Sequence, residues 1–459
     1  MKKLRFWISL WGGKFFLALF KATGNRRDDR PGSAAMHLYH KFLTYVRKPA
    51  LTIVVTGTNG KTSISSMATD FFTLRGKKVA YNDWGANHYA GMARLLLDAV
   101  NIFNRSTKDI AVIESDELIS PNSMPQLKPQ FILVNNLARD SMIRNAHPGY
   151  IFDHLKKALE LTPDATVILN ADDPLSCFMG EGNRRVYFAV EDLGIESGKS
   201  ILDDFAVCPQ CGGKTAYAYR NYRHIGAFFC PECGMKAPAP DYIGKNAGNG
   251  TVTVREADGS ETAYPLASDS VHNIYNTVAL IALLRAQGIA AAEIAEGLKS
   301  IKLPVSREMG ECVNGIELKT QVCKGQNATA ASTVFRQLGL DPREKEIIMI
   351  VDEVFENPGK VETVAWIHDS DYEYLNSPHI HRIIVGGARY LDHRLRLLLA
   401  GVPEEKIVCI PEMSETPQHL RFDGDDAVFI LHDVTSVSRG RAIFEAVKKR
   451  ILEEGRMRK

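Results

Sequence analysis

The chain has 459 residues, 45% hydrophobic and 24% charged, a balance that fits a soluble globular protein too long for one ordinary core. It contains no charge-free apolar run of about 18 residues, which excludes an obvious membrane span. The net charge of +2 conceals an asymmetry: residues 1–50 hold eleven Lys and Arg against Asp28 and Asp29, so this segment is +9 and the remainder −7. That distribution argues against a general nucleic-acid binder and for a local contact with something anionic.

The first twenty residues, MKKLRFWISLWGGKFFLALF, have the basic start and hydrophobic stretch of a signal peptide. Gly12, Gly13 and Lys14 interrupt the stretch, however, and no small-x-small cleavage site follows. Trp7, Trp11 and Phe15 recur at helical spacing, so residues 1–48 read as a basic amphipathic helical segment. Two roles stay open for it: a helix packed on the body of the protein, or one lying at the anionic inner face of a membrane.

From residue 49 short apolar β-branched runs alternate with helical stretches. Strands are expected at Leu51–Thr56, Lys78–Tyr81, Ile110–Glu114, Phe131–Asn135 and Thr166–Leu169, with helices such as Thr62–Leu74 and Ile151–Leu161 between them. Continuous apolar strands alternating with helices predict a parallel sheet covered on both faces. The rhythm pauses over 206–240, where the cysteine pairs lie, and 241–265 reads as short strands. Helices over about Asn273–Ala286 and Ala291–Ser300 close this domain near Pro304. A second, smaller α/β domain follows over 305–459. Its expected strands are Ile347–Val351, Arg382–Val385, Ile407–Ile410 and Val428–Leu431, and its last helix spans about Arg441–Glu454.

The strongest catalytic pattern is Thr56-Gly57-Thr58-Asn59-Gly60-Lys61-Thr62, set between a strand and a helix. Glycines let backbone fold around phosphate oxygens, and the following helix N-terminus adds N–H groups and a favourable dipole. Lys61 would reach the β/γ-phosphates of ATP and the Thr62 hydroxyl would ligate Mg2+. Glu114-Ser115-Asp116-Glu117 ends a strand where ligands bind in open α/β sheets, and carboxylates there suit a hard cation. The bland alternative is a solvated acidic loop.

Four of the eight cysteines form Cys208-Pro-Gln-Cys211 and Cys230-Pro-Glu-Cys233, each pair followed by glycine. Two C-x-x-C knuckles at this spacing predict a closed four-cysteine zinc site that stabilises the fold and does no chemistry; a redox pair is the competing reading. Cys177, Cys312, Cys323 and Cys409 are scattered, as in a reducing, cytoplasmic compartment, and lack a nucleophile context.

The loop form T-G-T-N-G-K-T resembles the Mur ligase and folylpolyglutamate synthetase superfamily. So do Leu169-Asn170-Ala171-Asp172-Asp173 and His272-Asn273-Ile274-Tyr275-Asn276. A four-cysteine insertion at this point, Asn136–Arg144 (NLARDSMIR) and Trp366–Glu373 (WIHDSDYE) resemble one subgroup, the MurT subunits of lipid II isoglutaminyl synthase. The resemblance implies a Mur-ligase-type parallel-sheet ATPase domain with an inserted zinc ribbon, plus a Rossmann-like C-terminal domain. It places Gly57, Thr58, Asn59, Gly60, Lys61 and Thr62 on ATP, Asn276 on the adenine, and Glu114 with Thr62 on Mg2+. It implies amidation of the D-glutamate α-carboxyl of the lipid II stem peptide through an acyl phosphate. Ammonia would come from a GatD-type class I glutaminase in a heterodimer, with Asp369 orienting a catalytic His of that partner, and Asp371 as the fallback if the register is off by two. The role would be in peptidoglycan synthesis, in the cytoplasm and peripherally at the membrane. Departures from the pattern are Ser141 in place of a metal-binding His, Arg307-Glu308, and Asp352–Asn357. The alternatives are a single-chain ligase that adds an amino acid to a carboxylate and a non-catalytic nucleotide-gated binding protein.

Overall fold

The computed structural model describes every residue except Met1, 25–27, 83–85, 140–146, 196–199, 302–308, Gln326, 352–363, 434–435 and 458–459. The departures at Ser141, Arg307-Glu308 and Asp352–Asn357 therefore lie outside the described residues. The chain forms two compact units. The first comprises Met1–Ala138, Pro148–Gly198 and Asp203–Pro304; the second comprises Arg139–His147, Lys199–Leu202 and Val305–Lys459.

The first unit opens with three helices, α1 (Lys2–Ala22), α2 (Arg30–Leu38) and α3 (Phe42–Tyr45). Then come β1 (Leu51–Thr56), α4 (Lys61–Leu74), β2 (Val79–Ala80), α5 (Tyr89–Ala99), β3 (Ile110–Glu114), α6 (Ser120–Leu127), β4 (Phe131–Val134), α7 (Pro148–Glu160), β5 (Thr166–Asn170) and β6 (Arg184–Val190). A two-stranded hairpin follows, β7 (Ala216–Tyr222) and β8 (Ile225–Phe229). The unit ends with β9 (Tyr242–Gly248), β10 (Thr251–Glu256), β11 (Glu261–Pro265), α8 (Val271–Ala286) and α9 (Ala291–Leu298). Among the described residues nine strands form one sheet in the order β11-β10-β9-β6-β5-β4-β1-β3-β2, parallel from β2 to β9 and antiparallel through β10 and β11.

The apolar strands supply both faces of this sheet, as their period of two requires. Val54, Ala111, Ile113, Ile132 and Val134 point into a core shared with α1, α2, α5 and α7. Ile53, Val55, Val112, Leu133 and Ile168 point to the other side, against α4, α8 and α9. β1 lies between β3 and β4, and the chain order reverses there, so the C-terminal ends of these strands form the crevice where open α/β sheets bind ligands.

In the second unit β12 (Gly310–Val313) and β13 (Ile316–Val322) form a hairpin through Asn314-Gly315, both at positive φ, as a two-residue turn demands. Then follow α10 (Ala328–Leu340), β14 (Lys345–Ile350), α11 (Ala365–His368), β15 (Ile380–Gly386), α12 (Tyr390–Leu399), β16 (Ile407–Ile410), β17 (Ala427–His432) and α13 (Val437–Met457). The six strands run β12-β13-β17-β14-β15-β16, all pairs parallel except the hairpin. Ile348, Ile350 and Ile430 face α13, while Ile347, Met349 and Leu431 face the opposite core with Trp366 and Tyr372.

Candidate active site and cysteine centre

The phosphate-type loop leaves β1 at Thr56 and enters α4 at Lys61. Gly57 and Gly60 have φ of 107° and 89°, a region that side-chain-bearing residues avoid. A Cβ on Gly57 would sit 2.8 Å from the Asn136 carbonyl oxygen, and one on Gly60 would sit 2.3 Å from Asn276 Oδ1. Glycine is thus required at both places by conformation and by space. The loop is pinned from below by the segment after β4. Thr58 N donates to Asn136 O at 2.7 Å, Asn59 N to Asn136 Oδ1 at 3.2 Å, and Ala138 N to Thr58 Oγ1 at 3.0 Å.

Two carboxylates from the end of β3 meet the start of α4. Thr62 Oγ1 donates to Glu114 Oε2 at 3.0 Å and Tyr81 Oη to Glu114 Oε1 at 3.1 Å. Lys61 Nζ pairs with Glu117 Oε1 at 2.7 Å and also donates to the Gly57 carbonyl. Glu114 and Glu117 are both buried, and burial raises both carboxyls above their ordinary range, opposed at Glu117 by the Lys61 charge and at Glu114 by the two hydroxyls. A buried carboxylate beside a hydroxyl at a strand end is an oxygen donor set that suits Mg2+, and a cation there would offset the desolvation of Glu114. Glu117, which the sequence offers only as one of the carboxylates suited to a hard cation, is in the structure the partner of Lys61.

Asn276 on α8 presents its carboxamide to the loop itself, beside Gly60. Its Oδ1 accepts from Asn135 Nδ2 at 2.9 Å, and Asn135 Nδ2 also donates to Asn59 O at 2.9 Å. Asn135 Oδ1 is buried with no partner among the described residues, a polar atom left for a ligand at this corner. Neither Tyr81 nor Asn135 stands out in the sequence. His272, one turn before Asn276, packs edge-on against Tyr222 with ring centroids 4.7 Å apart, and burial pushes its pKa down to about 4. The paired acids after β5 serve the scaffold. Asp173 accepts from Leu137 N at 2.8 Å, and Asp172 accepts from Val190 N at 2.9 Å and Tyr275 Oη at 2.7 Å. Burial pushes Asp172 up to about 6.

The four knuckle cysteines converge. Cys208 Sγ lies 3.6 Å from Cys233 Sγ and Cys211 Sγ 3.5 Å from Cys230 Sγ, all four within 4.8 Å of one another, with no disulfide. Four sulfurs about 2.3 Å from a central zinc would stand roughly 3.8 Å apart, so the donor set and its spacing fit the metal. The two knuckles are near copies. Gly212 N donates to Cys208 O at 2.9 Å and Gly234 N to Cys230 O at 3.0 Å, with φ 76° at both glycines. Phe228 packs against Phe178 and Phe205 beneath them, giving the ribbon its own small core.

The hairpin β7–β8 carries the ribbon to the corner. His224 Nε2 donates to Leu137 O at 2.8 Å, Asn221 Nδ2 to Tyr275 Oη at 2.9 Å, and Tyr222 meets both His272 and Tyr275 edge-on. In the second unit, Asp369 ends α11 with its carboxylate 3.2 Å from Arg139 Nη1. Asp371 is buried, accepting from Ser200 Oγ and Ile201 N at 3.0 and 2.9 Å.

Two family models match the chain: the Mur ligase middle domain over residues 55–215 and the MurT ligase C-terminal domain over residues 325–437. The lipid II isoglutaminyl synthase (glutamine-hydrolyzing) subunit MurT of Streptococcus pneumoniae is 27% identical over 426 residues, 91% of this chain and 92% of that protein. Its counterpart from Staphylococcus aureus is 26% identical over 408 residues, 88% and 90% of the two chains. Among solved structures, a pseudomurein peptide ligase type C from Methanothermus fervidus superposes with a TM-score of 0.66 at 19% identity, covering 94% of this chain and 92% of that one.

Proposed function

We propose, from the membership of this chain in the Mur ligase superfamily and its likeness to MurT subunits along most of its length, that it is the synthetase subunit of an ATP-dependent amidotransferase. Its substrate is the D-glutamate α-carboxyl of a lipid II stem peptide or related muropeptide, converted to the amide with ammonia from a GatD-type glutaminase subunit. The observation that carries this reading is the corner at the switch point of the first sheet. There the loop Gly57–Thr62, the acids Glu114 and Glu117, and the amides Asn135 and Asn276 converge on one crevice.

The chemistry must bring a carboxylate to a triphosphate, and both are anions. Lys61 and the N-terminus of α4 supply positive charge and N–H donors to the phosphates, and the preorganised loop spends no reorganisation at the moment of transfer. Thr62 and Glu114 would hold Mg2+, whose charge offsets that of the transferring phosphoryl group. Glu117 holds Lys61 in the loop. Attack of the substrate carboxylate on the γ-phosphorus forms an acyl phosphate and releases ADP. Ammonia then forms the C–N bond as the C–O bond to phosphate breaks. Cys208, Cys211, Cys230 and Cys233 would hold Zn2+ as a closed structural site.

Asp369 carries the dependence on a partner in this reading, orienting a His of the glutaminase by accepting its imidazole N–H. Asp369→Asn is expected to abolish glutamine-dependent amidation while ATP binding and partner association persist. Asp371→Asn is expected to act through the fold, since that carboxylate is buried on Ser200 and Ile201. The direct test incubates the chain and a glutaminase subunit with lipid II, ATP, Mg2+ and glutamine, and reads the muropeptide by mass spectrometry. Amidated stem peptide that requires both subunits is the expected result. Addition of an amino acid by the chain alone, with no use of ammonia, would replace this reading with the single-chain ligase.

A further inference from the structure

Helix α1 shows apolar residues on two faces. Phe6, Leu10 and Leu17 point inward to the core under α2 and α5. Ser9 Oγ donates to Ala35 O at 2.6 Å, and a Cβ on Gly13 would lie 2.9 Å from the Leu97 side chain. The glycines that interrupt the hydrophobic stretch are therefore where the helix packs closest. The opposite face carries Leu4, Ile8, Trp11, Phe15 and Leu19, one large apolar side chain per turn, all exposed, Phe15 at 67%. Trp11 Nε1 donates to Ile102 O at 3.0 Å, which joins this ridge to the loop between α5 and β3, where Ile102 and Phe103 are also exposed. Scattered exposed hydrophobics are ordinary, but a continuous ridge of this length on a monomer marks an interaction surface.

The charges beside the ridge say what it meets. Residues Lys2–Ala22 contain no Asp or Glu, and Lys3 and Arg5 are exposed on its two flanks. On its far side the same loop is tied to the end of α3, with Arg47 N donating to Asn104 Oδ1 at 2.8 Å and Asn104 Nδ2 to Tyr45 O at 3.1 Å. There it borders an open cleft of about 1350 Å³ lined by Arg47, Lys48, Arg75, Arg105, Lys108 and Lys128 among others, with Asp109 the one acid among the described residues of the lining. Leu51 and Thr52 also line it, so it lies at the start of β1, the opposite end of that strand from the phosphate loop.

We propose that the outer face of α1, the Ile102–Phe103 tip and this basic cleft form one docking face for an anionic phospholipid bilayer. The apolar ridge enters the boundary between headgroups and acyl chains, and the cations of the flanks and cleft meet lipid phosphates. No helix among the described residues is long and apolar enough to cross a membrane, so α1 lies in the plane of the surface. The face is built in the first unit alone and does not depend on the amidation reading. The test is co-sedimentation of the full chain with vesicles of equimolar phosphatidylglycerol and phosphatidylcholine, beside vesicles of phosphatidylcholine only. The expected result is pelleting with the anionic vesicles alone, weakened by salt. It should fall about tenfold or more in Phe15→Glu/Phe103→Glu and in Lys3→Glu/Arg5→Glu. These side chains are exposed, so the variants are expected to melt like the parent; if the first does not, Ile8→Ser/Leu19→Ser takes its place. Failure of the parent to pellet, undiminished pelleting of the variants, or light scattering that shows the ridge variants breaking a dimer of this chain would overturn the proposal.

Discussion

The phosphate loop and the cysteine ribbon are both built on tight turns with glycines at positive φ, yet they treat polar groups in opposite ways. In the ribbon each knuckle closes on its own backbone, and the four sulfurs face one another around a single centre. At the loop the polar groups are left under tension. Asn135 Oδ1 is buried without a partner among the described residues, and Glu114 and Glu117 are held as carboxyls whose ionisation burial opposes. A closed donor set has no position left for a reacting group, whereas an open set with an unpartnered acceptor and desolvated acids gains further stability from what binds there. In the proposed reading, the contrast separates a structural centre from a chemical one inside a single unit.

The largest effect that would break this contrast is at Lys61. Lys61→Ala is expected to lower ATP-dependent turnover by about a hundred- to a thousandfold, because the lost charge acts on the transferring phosphoryl group, and to lower the melting temperature only as far as leaving buried Glu117 without its cation requires. Near-normal turnover would remove the loop from the chemistry. The ribbon should behave in the reverse sense. Cys208→Ser or Cys230→Ser should release zinc and cost on the order of 4 kcal/mol of stability, since metal binding to a closed site is folding free energy. Zinc analysis alongside thermal unfolding checks this, and loss of turnover with metal content and stability unchanged would contradict it.

Asp172 sharpens the comparison through pH. Burial raises its carboxyl to about 6 in the folded protein, against about 3.9 in an unfolded chain. The folded state therefore holds this proton longer. Its contribution is fully present below about pH 3.9 and is lost as pH rises to about 6, a span worth roughly 3 kcal/mol. Asp172→Asn removes that slope, so the difference in unfolding free energy between variant and parent should change by about this amount between about pH 3 and 7, and a constant difference would show that the acid is not desolvated. The smallest effect expected is at the link between the two regions. His224→Ala leaves the Leu137 carbonyl without its donor, for about 1–3 kcal/mol, and should weaken ATP binding several-fold with zinc retained. Unchanged ATP affinity would mean that the ribbon stands apart from the corner.

Much of this was legible because it is local. A strand, a T-G-T-N-G-K-T turn and a helix are contiguous in sequence, and paired C-x-x-C knuckles announce their own geometry; the four sulfurs do converge, and β1, β3 and β16 begin and end at the residues expected. Boundaries elsewhere moved by a few residues. β2 shortens to Val79–Ala80, and α7 begins at Pro148, since proline suits a first helical turn. β6, α5 and the Asn314-Gly315 hairpin are not among the elements expected from the sequence, although an Asn-Gly pair between apolar runs is a strong turn pattern. What the sequence could not convey is pairing across long separations. Nothing in Glu114-Ser115-Asp116-Glu117 says that Glu117 takes Lys61 while Glu114 takes Thr62. Nor does the hairpin's sequence say that His224 reaches Leu137, 87 residues away. Likewise, the helical spacing of Trp11 and Phe15 does not show which face of α1 is inward; the inward face proved to be Phe6, Leu10 and Leu17.

The measurement that bears most directly on the central claim follows an oxygen atom. A muropeptide substrate whose D-glutamate carboxyl carries heavy oxygen is turned over with ATP, Mg2+ and ammonia, and the released inorganic phosphate is examined by mass spectrometry. Phosphoryl transfer to the carboxylate at the Gly57–Thr62 loop predicts one heavy oxygen in the phosphate for each amide formed, and both products reduced about a hundred- to a thousandfold with Lys61→Ala. Amide formation with unlabelled phosphate, or ATP cleavage that ignores the carboxylate, would contradict the account.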